Sequence, residues 1–119
     1  RNRILFTVSG SDMAPAYFLL LDKSRVAVIG KSRPWLDDNS LGKTELIYYT
    51  ARDGLKIPGL LTLPPGYKKG DKVRGAIVHP HGGPWARDHW GYDPYHQLLA
   101  NRGYAILSVN YRTSTDFGK

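Results

Sequence analysis

Two short apolar runs, residues 74–79 and 104–109, flank a single helix-like segment, and this succession limits the possible folds more than any other feature of the chain. The segment between them opens at Asp93, continues through Pro94, Gln97, Leu98, Leu99, Ala100, Asn101 and Arg102, and closes at Gly103. An Asp at the N-cap accepts an otherwise unpaired N–H, a Pro in the first turn has its φ preset, and a Gly just past the end takes the left-handed cap. Strand, loop, helix and strand in that order make a βαβ unit. Its crossover requires residues 76–79 and 105–109 to run parallel in one sheet.

Upstream, residues 44–51 and 56–63 are two β-rich runs meeting at Asp53-Gly54, a dipeptide suited to the positive φ angles of a tight hairpin. Pro64-Pro65-Gly66 ends the second run. Three further strands are expected at residues 3–8, 16–21 and 25–29, with turns at Ser9-Gly10-Ser11-Asp12 and Asp22-Lys23-Ser24. A propeller blade or a plain β-meander would give the same pattern. Pro34, Asp37, Asp38, Asn39 and Gly42 break the strand rhythm, so residues 32–43 read as a connector between an all-β part, 1–31, and an α/β part, 44–119.

Composition narrows the function classes. The hydrophobic fraction of 41% suits a packed core and argues against a disordered chain. The net charge of +7 invites nucleic acid as a partner, but the basic residues are scattered, and the densest group (Lys68, Lys69, Lys72, Arg74) sits in a Pro/Gly-bounded loop. No nucleic-acid role is expected. With no Cys there are no disulfides, thiolate metal sites or cysteine nucleophiles. No apolar stretch approaches the roughly 18 residues of a membrane span, so a soluble chain without a membrane partner is expected. The chain opens on Arg1 with no signal-like segment, which predicts a missing N-terminus. Compartment stays open, with the cytoplasm slightly ahead of the periplasm or exterior.

The chemistry lies between the first apolar run and the helix, in His79-Pro80-His81-Gly82-Gly83-Pro84-Trp85-Ala86-Arg87-Asp88. Two glycines directly after a buried strand let the backbone turn sharply and aim N–H groups at a cavity. In α/β-hydrolases the loop after the third strand supplies one of two N–H donors to an oxyanion. A tight turn with no chemistry is the competing reading of the tetrapeptide alone.

Five segments in order decide between them: Tyr49-Thr50-Ala51-Arg52-Asp53-Gly54, Gly59-Leu60-Leu61-Thr62-Leu63-Pro64, the residues from His79 to Asp88, Leu99-Ala100-Asn101-Arg102-Gly103-Tyr104, and Val109-Asn110-Tyr111-Arg112. Together they resemble the start of the catalytic domain in the prolyl oligopeptidase family, near its acylaminoacyl-peptidase and dipeptidyl-aminopeptidase-like members. The resemblance implies the first part of an α/β-hydrolase sheet, an antiparallel hairpin followed by βαβ, preceded by strands like a last propeller blade. It implies a serine peptidase acting on short or acylated peptides through an acyl-enzyme, without a cofactor or metal. Gly83, with Gly82 in reserve, would supply the backbone N–H of the oxyanion hole, and His81 would brace the loop. The remainder of the hydrolase domain and the propeller would be its structural partners.

The resemblance also says what is missing. A nucleophile on a Gly-x-Ser-x-Gly elbow would follow the next strand, and the triad's Asp and His come later still. Ser108 lies inside a strand and Ser114 in a polar loop, neither between two glycines, so the chain alone is expected to be inactive. Where relatives read Asn-Tyr-Arg-Gly-Ser-Thr-Gly, this chain has Thr113 and Asp116 in place of the two glycines, which predicts strain or a different loop wherever φ must be positive. His79, His81, His89 and His96 match no zinc spacing. Trp85 and Trp90 would line a substrate pocket or pack the loop over the sheet, packing being the default. Arg112 would meet a substrate carboxylate or hold a loop salt bridge, the latter slightly favoured. A non-catalytic interaction module and an esterase-type α/β-hydrolase are the alternatives, which downstream sequence or a different cap domain would distinguish.

Overall fold

The computed structural model describes residues 3–83 and 85–117; Pro84, which closes the His81-Gly82-Gly83-Pro84 run, lies outside the described residues. Strands β1 (Ile4–Gly10), β2 (Met13–Leu20) and β3 (Val26–Lys31) form an antiparallel sheet in that order. The first turn is tighter than the residue pattern suggests. Ser9 and Gly10 stay in the strand, and the chain reverses at Ser11 and Asp12. Met13 pairs with Gly10 and Ala16 with Val8, and the register slips between them beside Pro15, which has no N–H to give to a ladder. At the second turn the Asp22 carboxylate accepts from the N–H groups of Ser24 and Arg25 at 3.1 and 3.0 Å. Residues 32–43 contain no strand; their one regular piece is a 3-10 turn, Asp38–Ser40, whose Asn39 N–H is capped by the Asp37 side chain.

In the second sheet β4 (Thr44–Thr50) and β5 (Lys56–Thr62) pair antiparallel from Thr44 opposite Thr62 to Thr50 opposite Lys56. The hairpin closes through Gly54, at φ +86°. Strand β6 (Gly75–Val78), helix α1 (Pro94–Ala100) and strand β7 (Tyr104–Val109) complete the βαβ unit, with β6 and β7 parallel and Val78 opposite Leu107. The sheet order is β4-β5-β7-β6, so the hairpin joins β7 antiparallel and β6 lies at an edge.

Helix α1 starts where the Asp93 carboxylate accepts from the Tyr95 and His96 N–H groups at 2.8 and 2.9 Å. It ends at Ala100, earlier than the residue pattern implies, because residues 101–103 finish as a turn in which the Gly103 N–H donates to Ala100 O at 2.9 Å. The helix lies on β7 and β5, and the core there contains Ile57, Leu60, Ala100, Ala105, Ile106 and Val109. Ile106 is 0% exposed, and truncating such a side chain to Ala costs about 2–5 kcal/mol.

One buried polar side chain joins the parts. Gln97 accepts from the Gly42 N–H at 2.7 Å and donates from its amide nitrogen to Ser11 O at 2.7 Å and Gly42 O at 2.8 Å. Only glycine fits at position 42, since a Cβ there would stand 2.0 Å from Leu63 O.

Candidate functional site

Because β6 and β7 are parallel neighbours, the chain leaves both at the same end of the sheet. Two loops therefore run side by side: residues 79–93 on the way to α1, and residues 110–117 after β7. The His79 N–H continues the ladder by donating to Leu107 O at 2.8 Å, which sets the point of departure.

The second loop grips the first along its length. Asn110 accepts from the Asp88 N–H at 2.7 Å and donates to Asp88 O at 3.1 Å. The Tyr111 ring stacks on His81 with centroids 4.3 Å apart. Its hydroxyl stands 2.9 Å from His81 O and 3.0 Å from Gly83 O, and the single hydroxyl proton is shared between the two carbonyls. Ser114 Oγ lies 2.8 Å from His81 Nε2, the Thr115 N–H donates to Ala86 O at 3.0 Å, and Arg87 pairs with Asp116 at 3.0 Å while covering the Phe117 ring.

These contacts fix peptide planes. His81 Nδ1 lies 3.2 Å from Gly82 O, which can only accept, so Nδ1 is the donor there, while Nε2 meets the Ser114 hydroxyl, a group able to donate or accept. A trans peptide points its N–H opposite to its C=O. Holding His81 O against Tyr111 therefore turns the Gly82 N–H away from Tyr111. Holding Gly82 O against the His81 ring turns the Gly83 N–H away from that ring. Gly83 sits at φ +68°, and a Cβ at Gly82 or Gly83 would meet nothing within 4 Å, so the loop is not packed at either Cα. Among the described residues no acceptor meets either N–H. The next residue, Pro84, has no N–H by its chemistry.

A Ser–His contact of 2.8 Å invites a nucleophilic reading of Ser114, and burial excludes it here: Ser114 is 1% exposed, so no carbonyl carbon can reach its Oγ. Ser108 is equally buried, with Oγ 3.3 Å from His96 Nε2.

Other residues singled out in the sequence fall as follows. Trp85 is 86% exposed, which corrects the expectation that it packs. Trp90 is 58% exposed but anchored, its indole N–H donating to Thr44 O at 3.0 Å. Arg112 reaches back to the hairpin turn and pairs with Asp53 at 2.6 Å, holding that carboxyl below its usual range. Of the four histidines, His79 and His96 meet at 2.9 Å between Nδ1 and Nε2, His81 is taken by Ser114, and His89 is exposed. Among the described residues no group of three or more ligand-type side chains converges. Burial pushes the His96 imidazole below its ordinary value, partly offset by the charges of Asp93 and Asp88. A cavity of about 270 Å³ lies alongside, lined by Thr44, Leu60, Asp88, Trp90, Asp93 and His96. Among the described residues Asp88 Oδ2 and Arg87 Nε are buried without a hydrogen-bond partner.

Thr113 and Asp116 have φ of +71° and +70°. The two positions where the resemblance leads one to expect glycine are thus the two non-glycine residues in the left-handed region among those described. Sequence reasoning passed over Asn110, Tyr111, Ser114 and Asp116 as loop-bracing groups. The parallel pairing expected of residues 76–79 and 105–109 put both loops at one end of the sheet, but only the adjacency of β6 and β7 brings them into contact.

A four-stranded mixed sheet with a crossover helix and a glycine turn at the carboxyl end of a parallel strand defines the class, an α/β fold built like the hydrolase sheet. No protein-family model matches the chain. It is 40% identical over 113 residues to dipeptidyl aminopeptidase BIII of Pseudoxanthomonas mexicana, a match covering 89% of this chain and 16% of that protein. It is 36% identical over 135 residues to dipeptidyl peptidase family member 6 of Caenorhabditis elegans, covering 97% of this chain and 18% of the relative. Among solved structures, a puromycin hydrolase matches with a TM-score of 0.71 and 25% identity over 98% of this chain and 18% of that one. Acylaminoacyl peptidase of Pyrococcus horikoshii matches in fold with a TM-score of 0.65 and 20% identity, over 99% of this chain and 19% of that one. The chain belongs to the prolyl oligopeptidase family of peptidases. It spans 16% and 18% of the length of the two curated relatives named.

Proposed function

We propose that this chain is the oxyanion-loop segment of a serine peptidase that hydrolyses short or acylated peptides through an acyl-enzyme. Residues 44–117 then form the first part of the catalytic domain, residues 32–43 the connector, and the strands before them the end of a propeller. The observation that carries the reading is the pair of glycine N–H groups without an acceptor among the described residues at the carboxyl end of β6, with the carbonyls of His81, Gly82 and Gly83 all held. Gly83 is the donor to the developing oxyanion and Gly82 the reserve. Donors fixed before the reaction stabilise that charge without reorganising during it, which is the source of their effect on rate. Trp85, exposed in the same loop, lines the substrate side, while Arg112 keeps its partner Asp53 and acts structurally. The triad Ser, Asp and His belong to other parts of the enzyme, so the chain of 119 residues has no turnover of its own.

A fluorophosphonate probe tests this directly. The isolated chain is expected to take no label and to leave p-nitrophenyl and p-nitroanilide substrates intact, whereas the longer polypeptide takes one label at a serine outside these residues. Labelling of Ser108 or Ser114 would overturn the reading.

A further inference from the structure

We infer that Ser114 is a positioning residue for the oxyanion donor, acting through the orientation of the His81 ring. This deepens the proposed function and rests on it. A chain of hydrogen bonds runs from the Ser114 hydroxyl to His81 Nε2 at 2.8 Å, and from His81 Nδ1 to Gly82 O at 3.2 Å. Gly82 O belongs to the same peptide plane as the Gly83 N–H, so whatever orients that carbonyl orients the donor.

The neutral imidazole has one proton to place on two nitrogens. Gly82 O can only accept, so it draws the proton to Nδ1, and the Ser114 hydroxyl, which can donate or accept, then donates to Nε2 and holds the ring in place. Without the Ser114 hydroxyl Nε2 loses that partner, and the long 3.2 Å contact to Gly82 O is left to orient the ring edge alone. A ring that turns takes its N–H away from Gly82 O, and the plane is free to turn with it. Tyr111 does not substitute for Ser114, because it stacks on the His81 ring and its hydroxyl holds the carbonyls of His81 and Gly83, not that of Gly82.

The loop around Ser114 is arranged to keep the hydroxyl in place. Ser114 is 1% exposed and flanked by the left-handed residues Thr113 and Asp116. The Thr115 N–H bond to Ala86 O and the Arg87–Asp116 pair fasten the far side to the glycine loop. Strained backbone of this kind persists only where the surroundings over-determine it.

The test uses the longer polypeptide that carries this segment, assayed on a chromogenic peptide substrate. Ser114→Ala should lower kcat by about ten- to hundredfold, short of the 100- to 1000-fold typical of a donor removed outright, with KM within about threefold. Ser114→Thr, which keeps a hydroxyl, should retain kcat within about threefold. His81→Asn supplies the decisive background: its amide nitrogen takes the place of Nδ1 and has no counterpart of Nε2, so adding Ser114→Ala should change kcat less than about twofold. If Ser114→Ala fails to accumulate as folded protein, Ser114→Cys, similar in shape but a weak donor, should show a smaller loss in kcat. Unchanged kcat in Ser114→Ala, or an equal loss from Ser114→Ala in both backgrounds, overturns the inference. Replacing the Gly83 amide by an ester separates the two levels. An effect of the ester without one of Ser114→Ala removes only the positioning role, and no effect of either removes the oxyanion reading itself.

Discussion

Thr113→Gly is expected to stabilise the loop it sits in. Thr113 has a φ of +71°, where an L-residue's Cβ crowds the following carbonyl at a cost of roughly 1–2 kcal/mol, and a β-branched side chain lies at the upper end. Glycine removes that cost but loses about 0.5–1 kcal/mol in backbone entropy, leaving a net gain of about 1 kcal/mol. Thr113 is exposed and no side-chain hydrogen bond is lost among the described residues, so the backbone effect stands nearly alone. Asp116→Gly is the internal contrast. Aspartate tolerates the left-handed region better, and its removal breaks the partly exposed Arg87 pair, worth about 0–1 kcal/mol, so the net change there should be near zero or unfavourable. Hydrogen exchange measured on a peptide covering residues 110–117 reads local opening directly. A gain of about 1 kcal/mol slows exchange of the Thr115 amide, which donates to Ala86 O, by about fivefold. Unchanged or faster exchange in Thr113→Gly would show that the left-handed conformation is not a strain the loop carries.

Two further outcomes follow from buried polar groups. Gln97→Ala strands the Gly42 N–H and the carbonyls of Gly42 and Ser11, and should cost about 2–4 kcal/mol, read as a lower urea midpoint, whereas an exposed Leu98→Ala should cost far less. For His96, burial holds the folded-state value below the ordinary 6.5, so the unfolded chain binds the proton more readily. Its contribution to stability is therefore present above that value and lost as pH falls through and below it; His96→Gln should flatten this part of the stability profile, and an identical slope in both proteins would contradict the assignment.

Periodicity and caps made most of the architecture legible. The Asp93-Pro94 start, the Asp53-Gly54 turn and the two apolar runs each have a local cause, and each element lies where that cause put it. Sheet order was not legible, because nothing local says that β5 joins β7 and not β6. The same gap hid the bracing of the glycine loop: Tyr111 and Ser114 reach it only because β6 and β7 are adjacent and parallel. The Gln97 junction was invisible for a similar reason, as its partners at Ser11 and Gly42 are 86 and 55 residues away. Thr113 and Asp116, where the resemblance leads one to expect glycine, were readable as a question about φ, and the backbone answers it with two left-handed residues.

The central claim is that the Gly83 N–H stabilises the oxyanion, and the most direct measurement removes that one donor. An amide-to-ester replacement at Gly83 in a semisynthetic full-length enzyme takes away the N–H while nearly preserving shape. A proline there would confound the result by fixing φ. The expected outcome is a fall in kcat of about 100- to 1000-fold, roughly 2.7–4 kcal/mol of transition-state stabilisation, with KM within a few fold. A near wild-type kcat for the Gly83 ester, with the loss appearing at Gly82, would move the donor by one residue; near wild-type kcat for both would contradict the claim that this loop is the oxyanion hole.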